Sequence, residues 1–395
     1  MKRTLLMICF VLISVASFSQ WIQQTSHTTK KLRSVCFINE NTGLVVGDVG
    51  TILKTTDGGT VWTTISSGTT KNLNSVDFPK ADTGFAAGDS GIILKTMDGG
   101  STWTTSYSAP GLGAFYSVKS QKENKVWVTA TGALLKTLNW GATWYVQTAG
   151  VPAPYYAVSF PDTTTGFVAG VAGNQGFIYK IPGGTMTFLP GSNTGLYSVF
   201  FPDDTTGYAA GMFGTVVSTT NAGNTWNILQ HDSGTCYYAI FFTGKNTGYL
   251  AGANGLIKKT TNGGSSWNVS PSSTSEELRA IYFVNADTGY AVGGNGTILK
   301  TNNGGVISGV DMKPTEPVFM IYPNPAHDKI HIVPGNRTYA GCRLTITNML
   351  GEQEATKECH DQSAYEFDVT SIPEGLHVLK IQTEHGVEYK KLVLK

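Results

Sequence analysis

One position of a recurring strand-like segment carries the side chains best suited to contact a ligand. The segment first reads Leu32-Arg33-Ser34-Val35, and its third and fourth positions stay small or β-branched in every later copy. The second position changes from copy to copy and reads Arg33, Asn74, Tyr116, Tyr156, Tyr197, Tyr238 and Arg279. Tyrosine rings and guanidinium groups contact sugars, peptides and carboxylates. We take these residues as candidate ligand-binding residues, although packing between neighbouring copies would equally explain the tyrosines.

Three carboxylates are the best candidates for catalysis. Asp48 and Asp89 occupy equivalent loops of neighbouring copies, and Glu276 lies in another loop that we expect on the same face. A glycoside hydrolase needs two carboxylates about 5–10 Å apart, which this set could supply. Loop aspartates beside glycine more often form turns. The sequence therefore favours a non-catalytic binding protein, with a secreted glycoside hydrolase or lyase that uses these loops as the alternative.

Residue patterns for other kinds of chemistry are absent from the sequence. The repeated region contains only two histidines, His27 and His231, and no cysteine–histidine spacing typical of a metal site. It also lacks a phosphate-binding loop of known spacing, so we expect neither a metal nor a cofactor. The formal net charge is +1 and charged residues make up 14% of the chain. This balance argues against a nucleic-acid partner, which requires a surplus of basic residues.

A repeat of 41 residues organises most of the chain. Its clearest marker is a Thr-Gly pair, with glycines at positions 43, 84, 166, 207, 248 and 289. The interval from 84 to 166 is two periods, and Lys125 occupies the missing position. Each period contains four short β-branched or aromatic segments bounded by Gly, Asn or Asp. Seven such units predict an all-β fold, a seven-bladed β-propeller over residues 20–305.

The two ends of the repeated region complement each other. The fourth segment of most units starts at a tryptophan, replaced by Phe188 in the fourth unit, but the last unit has no such segment. Trp21 lies 41 residues before Trp62. We therefore expect the N-terminal strand to complete the last blade, which closes the ring and leaves no unpaired seam. Closure also places Arg33 and Arg279 in adjacent blades.

A second motif lies between the third and fourth segments of most units, as in Thr55-x-Asp57-x-Gly59-x-x-Trp62. It resembles the Asp-box (BNR) motif of sialidases and related propellers. We expect a structural turn in which the aspartate or asparagine bonds backbone amides and the glycine takes a positive φ. The tryptophan is expected to pack between blades. The fourth copy, at residues 181–184, has lost the aspartate.

A longer motif extends over the third segment and this turn. It reads Gly-x-x-Gly-x-Ile-Leu-Lys-Thr-x-Asp-Gly-Gly at residues 47–59 and 88–100. On this motif, residues 21–305 resemble the photosystem II stability/assembly-factor-like propellers, which present an arginine-rich patch to a protein client. Only Arg33 and Arg279 could contribute to such a patch, and two arginines cannot build the three-arginine site of sialidases. We expect a propeller that binds a protein or glycan, without a photosynthetic role.

The first 19 residues are typical of an export signal. A basic start at residues 1–3 precedes an apolar run from Leu5 to Val15, and Ser17 and Ser19 supply small residues before the cleavage site. The apolar run is too short to span a bilayer, and no later stretch is long enough. We expect an exported monomer without a transmembrane segment.

A different pattern begins after a proline-containing linker at residues 306–317. In residues 318–395, short strands alternate with turn signals and predict a small Ig-like β-sandwich. Residues 322–325, 348–351, 372–375 and 391–395 resemble the type A C-terminal sorting domain of type IX secretion in Bacteroidota. The matching residues include Pro323, Asn324, Pro325, Gly351 and Gly375. The resemblance implies type IX secretion machinery as a partner, and a secreted or outer-surface location.

Four cysteines follow the expected export signal. Cys342 and Cys359 lie symmetrically about a predicted hairpin tip at Leu350-Gly351. Directly opposed strand residues have close α-carbons, so this pair is a candidate disulfide in an oxidising compartment. Cys36 and Cys236 occupy different positions of non-adjacent units, and we expect two buried thiols.

Overall fold

A computed structural model describes residues 21–121, 124–148, 150–182, 184, 186–190, 194–305, 319–334, 341–348, 352–359, 365–383 and 386–395. The chain divides into two compact units, whose described parts are residues 21–305 and 319–395. Across these described ranges, no helix is long and apolar enough to cross a membrane. The predicted export signal, the predicted linker and Gly351 lie outside the described residues.

The first unit consists of seven four-stranded antiparallel sheets. Three of these blades contain β2 Leu32–Phe37, β3 Gly43–Gly47, β4 Ile52–Thr55 and β5 Thr63–Ile65; β6 Leu73–Asp77, β7 Gly84–Gly88, β8 Ile92–Thr96 and β9 Thr104–Ser108; and β10 Ser117–Gln121, β11 Lys125–Thr129, β12 Ala133–Thr137 and β13 Tyr145–Thr148. The next three contain β14 Tyr155–Ser159, β15 Gly166–Ala172, β16 Gln175–Ile181 and β17 Met186–Phe188; β18 Leu196–Phe200, β19 Gly207–Gly211, β20 Val216–Thr219 and β21 Asn227–Gln230; and β22 Tyr237–Phe242, β23 Gly248–Gly252, β24 Ile257–Thr260 and β25 Asn268–Val269.

The last blade joins the two ends of the propeller. It contains β26 Leu278–Phe283, β27 Gly289–Gly293, β28 Ile298–Thr301 and, outermost, the N-terminal strand β1 Ile22–Gln24, which pairs antiparallel with β28. The innermost strands contact one another in chain order, and the last of them, β26, contacts the first, β2. The predicted seven-bladed propeller closed by its N-terminal strand is therefore confirmed.

Short 3-10 turns follow the second strand of most blades. Their bounds are Asp48–Gly50, Asp89–Gly91, Met212–Gly214, Ala253–Gly255 and Gly294–Gly296, and a sixth turn, Pro110–Leu112, follows β9. The central residue of each of the first five has a positive φ, as in Val49 at 57° and Ser90 at 58°. The five turns that follow the second strands lie at the same end of the innermost strand pair as the candidate ligand-binding residues.

The repeated Thr-Gly glycine has a steric cause. A Cβ on Gly43 would lie 2.6 Å from the ring of Phe37, the residue opposite it in the ladder. The same ring contact is present at Gly84, Gly166, Gly207, Gly248 and Gly289. In the third blade the residue opposite Lys125 is Gln121. Because no aromatic ring lies over this position, a lysine fits where the other units require glycine.

The Asp-box is a hydrogen-bonded turn, as predicted. In the second blade, Asp98 Oδ1 accepts hydrogen bonds from Thr96 Oγ1 at 2.8 Å and from the backbone amides of Ser101 and Thr102 at 2.9 Å each. The Thr96 hydroxyl in turn accepts from the amide of Gly100, whose φ is 83°. The fourth blade differs from the prediction, because Phe188 ends β17 and is 44% exposed. It does not take the buried place of Trp62, which is 2% exposed.

Replacing Asp98 with asparagine is expected to change the free energy of unfolding by less than about 0.5 kcal/mol, whereas alanine should cost about 1 kcal/mol. Asn139 makes the same bonds in the third blade, which supports the first expectation. Hydrogen bonds from the Thr102 side chain and amide lower the pKa of Asp98 to about 2. The stabilisation by ionised Asp98 is therefore present above pH 4 and is lost as the pH falls towards 2. Urea unfolding of the wild type, Asp98→Asn and Asp98→Ala at pH 7 and pH 3 tests these expectations. An equal loss of unfolding free energy in both variants at pH 7 would contradict them.

The second unit consists of two antiparallel sheets that share one hydrophobic core. One sheet contains β29 Phe319–Tyr322, β30 Lys329–Pro334 and β33 Tyr365–Asp368. The other contains β31 Cys342–Asn348, β32 Gln353–Cys359, β34 Gly375–Thr383 and β35 Gly386–Leu394. Asn324 of the sorting motif holds the loop between Pro323 and Pro325 to β35, since its side chain bonds the Lys391 carbonyl at 2.7 Å and the Val393 amide at 2.9 Å. Gly375, at the start of β34, has a φ of 143°.

The cysteines follow the prediction in part. Cys342 and Cys359 are directly opposed in the ladder, and both side chains are buried. Burial, together with the neighbouring Cys359, raises the pKa of Cys342 to about 12. Their disulfide stays a prediction for an oxidising compartment. Cys36 is buried as expected, whereas the expectation for Cys236 is wrong, because it is only half-buried at the edge of its innermost strand.

Candidate functional site

The candidate ligand-binding residues share one backbone irregularity. The ladder between the first and second strands shifts register on either side of Arg33, so Arg33 is an extra residue with no partner opposite it. The same shift occurs at Asn74, Tyr156, Tyr197, Tyr238 and Arg279. In the remaining blade, Tyr116 directly precedes β10. A bulge of this kind re-aims a side chain out of the ladder, so these residues do not serve sheet pairing.

A glycine at the end of the second strand accompanies most of these bulges. A Cβ on Gly47 would lie 2.2 Å from the carbonyl oxygen of Lys31, and one on Gly293 would lie 1.8 Å from that of Glu277. The bulged strand therefore approaches the neighbouring backbone too closely for any side chain. This glycine is the signal in the sequence from which the bulge could have been predicted.

The bulges bring all seven candidate residues to one cavity on the axis of the ring. We call these seven residues the upper layer and the space between them the central cavity. The cavity has a volume of about 610 Å³ and is lined by the innermost strands of all seven blades. Asp89 also lines it, whereas Asp48 lies against Arg33 and Glu276 against Gly294. The structure thus unites the predicted binding residues but not the three predicted catalytic candidates.

The two arginines of the upper layer are held by ion pairs. Arg33 Nε lies 2.5 Å from Asp48 Oδ1, and a terminal nitrogen of Arg279 lies 2.5 Å from Glu277 Oε2. Lys31 Nζ lies 2.5 Å from the other Glu277 oxygen. Burial raises the pKa of Glu277, but hydrogen bonds from Lys31 and Arg279 outweigh it, so the pKa is lowered overall. Glu277, the neighbour of the predicted Glu276, is therefore the carboxylate of this loop that pairs with the upper layer.

The four tyrosines form a continuous arc. Their ring centroids are 5.1 Å apart from Tyr116 to Tyr156, 5.1 Å from Tyr156 to Tyr197 and 5.7 Å from Tyr197 to Tyr238. The Arg279 guanidinium lies 4.0 Å from the centroid of the Tyr238 ring. Burial raises the pKa of Tyr156, Tyr197 and Tyr238, so these hydroxyls stay protonated near neutral pH. The rings pack on one another between blades and also line the central cavity.

The remaining residue of the upper layer, Asn74, is hydrogen-bonded to the carboxylate of Asp89. Asn74 Nδ2 donates to Asp89 Oδ1 and to the carbonyl of Phe115, both at 2.8 Å. Asn72 Nδ2 donates to the other Asp89 oxygen at 2.8 Å. Asp89 is thus held by neutral amide donors while it faces the cavity.

A second ring of side chains, three positions further along the innermost strands, was missed by sequence reasoning. This lower layer also varies between blades and could have been found by aligning the fifth strand position; it contains Cys36, Asp77, Lys119, Ser159, Phe200, Phe241 and Tyr282. Asp77 Oδ1 lies 2.6 Å from Lys119 Nζ, and Asp77 Oδ2 accepts from the Ser120 amide at 2.8 Å. Burial and then the Asp77 carboxylate raise the pKa of Cys36 to about 12. A protonated thiol is a poor nucleophile, so Cys36 does not add catalytic chemistry.

The chemistry available in the central cavity is that of a binding site. The described residues contain no group of three His, Cys, Asp or Glu side chains placed to hold a metal ion. Asp48 and Asp89, the predicted catalytic pair, are each engaged by side chains at the start of the innermost strand of their own blade. Phenol hydroxyls, amides and paired guanidiniums recognise a ligand by hydrogen bonds and ring contacts.

The fold defines a class of protein: a closed seven-bladed β-propeller with a cavity on its axis, followed by a two-sheet C-terminal domain. Residues 13–149 match the family model described as photosynthesis system II assembly factor YCF48, and residues 320–395 match the secretion system C-terminal sorting domain. The first three blades therefore match a YCF48 family model, and the second unit matches the sorting domain of type IX secretion. The sorting domain indicates a secreted or outer-surface location. None of the curated proteins compared with the chain matches it.

Similar solved structures share the propeller fold. A structure described as YCF48 bound to D1 peptide has 19% identity and a TM-score of 0.61, over 72% of this chain and 95% of that chain. YCF48 from Cyanidioschyzon merolae has 20% identity and a TM-score of 0.60, over 71% of this chain and 98% of that chain. The WD40 propeller domain of Doa1 has 12% identity and a TM-score of 0.59, over 72% of this chain and 97% of that chain.

Proposed function

We propose that this protein is an exported, non-catalytic propeller that binds an extracellular protein or glycan in its central cavity. The observation that carries the proposal is the convergence of the seven variable bulge residues on one space of about 610 Å³. Binding sites for small ligands and chain ends have volumes of about 300–1,000 Å³. A rigid scaffold that keeps its packing positions constant and varies the residues that face one cavity is typical of a binding protein.

Export is part of the same proposal. Residues 1–19 direct the chain across the inner membrane, and the C-terminal domain then engages type IX secretion machinery. The mature protein acts as a monomer, released or held at the cell surface. The ligand of this protein outside the cell is a protein or a polysaccharide, in keeping with the hydrogen-bonding groups of the upper layer.

Two further observations support binding over hydrolysis. A solved YCF48 structure is described as bound to a D1 peptide, so a propeller of this fold holds a peptide in that case. In the present chain, Arg33 engages Asp48, and two asparagine amides engage Asp89. Both carboxylates are thus held by side chains of their own blades, and of the two only Asp89 lines the central cavity.

The proposal is tested by screening the full chain against surface-protein and glycan arrays, and then titrating each ligand found. Tyr156→Ala is expected to weaken binding about tenfold or more, because a central aromatic residue of a binding site typically contributes that much. Arg33→Ala should have a similar effect.

The matched control is Tyr145→Ala, since Tyr145 lies on the outermost strand β13 and is 53% exposed. It should bind as the wild type does. Binding that withstands both cavity variants would place the site elsewhere. Product release from a glycan that stops with Asp89→Asn would replace the proposal with a hydrolase or lyase.

A further inference from the structure

We infer that the ligand of the upper layer is a neutral glycan, an inference that rests on the proposed function. The first step concerns positive charge. Both arginines of the layer already have a carboxylate at 2.5 Å, Asp48 for Arg33 and Glu277 for Arg279, and Lys31 shares Glu277. Each pair uses one nitrogen of its guanidinium and balances its charge, so an acidic ligand would meet a resident carboxylate beside each arginine. The arginines therefore give the layer no net positive charge with which to attract carboxylates and phosphates.

The second step concerns negative charge. Asp89 lines the central cavity, and its hydrogen-bond donors among the described residues are the neutral amides of Asn72 and Asn74. With Lys31, the layer and its neighbours contain three cationic groups (Lys31, Arg33, Arg279) and three carboxylates (Asp48, Asp89, Glu277), so a ligand of either sign would meet like charges as well as opposite ones. Like charges brought together in a half-buried space are unfavourable. The mixed charges of the layer thus select against ligands of either sign.

The third step concerns hydrogen bonds. Among the described residues, the hydroxyls of Tyr156, Tyr197 and Tyr238 have no hydrogen-bond partner, whereas the Tyr116 hydroxyl lies 3.2 Å from that of Thr131. A phenol both donates and accepts, and a carboxylate such as Asp89 accepts about four bonds, of which two are used. Sugar hydroxyls also donate and accept, so they complement this set of groups.

The fourth step separates a glycan from a neutral peptide. The upper layer contains arginine, asparagine and tyrosine side chains and no aliphatic one. The valines and isoleucines that also line the cavity, such as Val76 and Ile281, are almost fully buried and offer an apolar peptide side chain little surface, whereas tyrosines offer a flat apolar ring with a polar tip to a sugar. The volume of about 610 Å³ suits the end of a polysaccharide chain or a short oligosaccharide.

Calorimetric titration of the full chain tests the inference. The probes are neutral gluco-, manno- and xylo-oligosaccharides, acidic oligogalacturonate and sialyllactose, and one neutral and one acidic peptide. A neutral oligosaccharide is expected to bind, with its Kd changing less than about twofold between low and high salt because no charge is neutralised. Tyr197→Phe removes one hydroxyl and should raise Kd about three- to tenfold, and Asp89→Asn should raise it about ten- to a hundredfold.

Matched controls are Tyr145→Phe and Asp98→Asn, which make the same chemical changes on the exposed rim of the propeller. Both should leave Kd unchanged. Cavity-dependent binding of an acidic glycan or of a peptide, with no neutral glycan bound, would overturn the inference while the proposed function stands. Absence of cavity-dependent binding in every class would overturn both.

Discussion

Replacing Trp21 with alanine is expected to lower the free energy of unfolding of the propeller by about 3–5 kcal/mol, the range for a fully buried tryptophan. Trp21 has no exposed surface, and its ring packs edge-on against Phe283 at 5.8 Å. Its indole nitrogen donates to Ser270 Oγ at 3.1 Å, in the preceding blade. The side chain thus ties the N-terminal strand to two blades at the point where the ring closes. Loss of this contact should loosen β1 first and then β28, with which β1 pairs.

The measurement is urea unfolding combined with hydrogen exchange of the β28 amides, which reports on the last blade and not on the sorting domain. The control is Ile22→Ala on the same strand, where the side chain is 61% exposed. It should cost less than about 1 kcal/mol. Equal losses for the two variants would show that strand pairing closes the ring without the tryptophan contact.

Gly248→Ala is expected to cost about 2–3 kcal/mol, because overpacking a filled interface forces rings out of place. The added Cβ would lie 2.5 Å from the ring of Phe242. That ring cannot move aside, since it is 3% exposed, stacks on Tyr208 at 3.9 Å and meets Trp267 edge-on at 6.0 Å. The loss should appear in urea unfolding of the full chain.

Lys125→Ala is the matched control for this substitution, because Lys125 occupies the equivalent place in the third blade. The residue opposite it is Gln121 in place of a phenylalanine. The change should stay within about 0.5 kcal/mol. A similarly small effect at Gly248 would mean that the ring contact does not explain why this position is glycine in the other units.

The sequence predicted the propeller because its periodic residues record packing between blades. The Thr-Gly glycines lie under phenylalanine rings, and the Asp-box residues form hydrogen bonds within their own turn. Both are local relations that repeat with the period. The fourth blade was predicted less well, since Phe188 falls at the exposed end of β17.

The upper layer was also predictable as a set of residues, but its charge state was not. The sequence gives Arg33 and Arg279 as candidate ligand-binding residues without indicating their partners, and the structure pairs them with Asp48 and Glu277. Asp48 lies fifteen positions after Arg33 and Glu277 two positions before Arg279. Nothing in these spacings shows that Asp48 and Glu277, and not Asp89 and Glu276, pair with the two arginines.

The order of the repeats, the closure through Trp21 and the membership of the upper layer were determined by the sequence alone, because spacing and residue type express them directly. The direction of each side chain was decided only by the tertiary structure. Register shifts at six of the seven innermost strands aim the variable residues into the central cavity. Ion pairing then depends on distances between atoms that chain spacing does not specify. That pairing turns two arginines and a tyrosine arc into a layer suited to a neutral ligand.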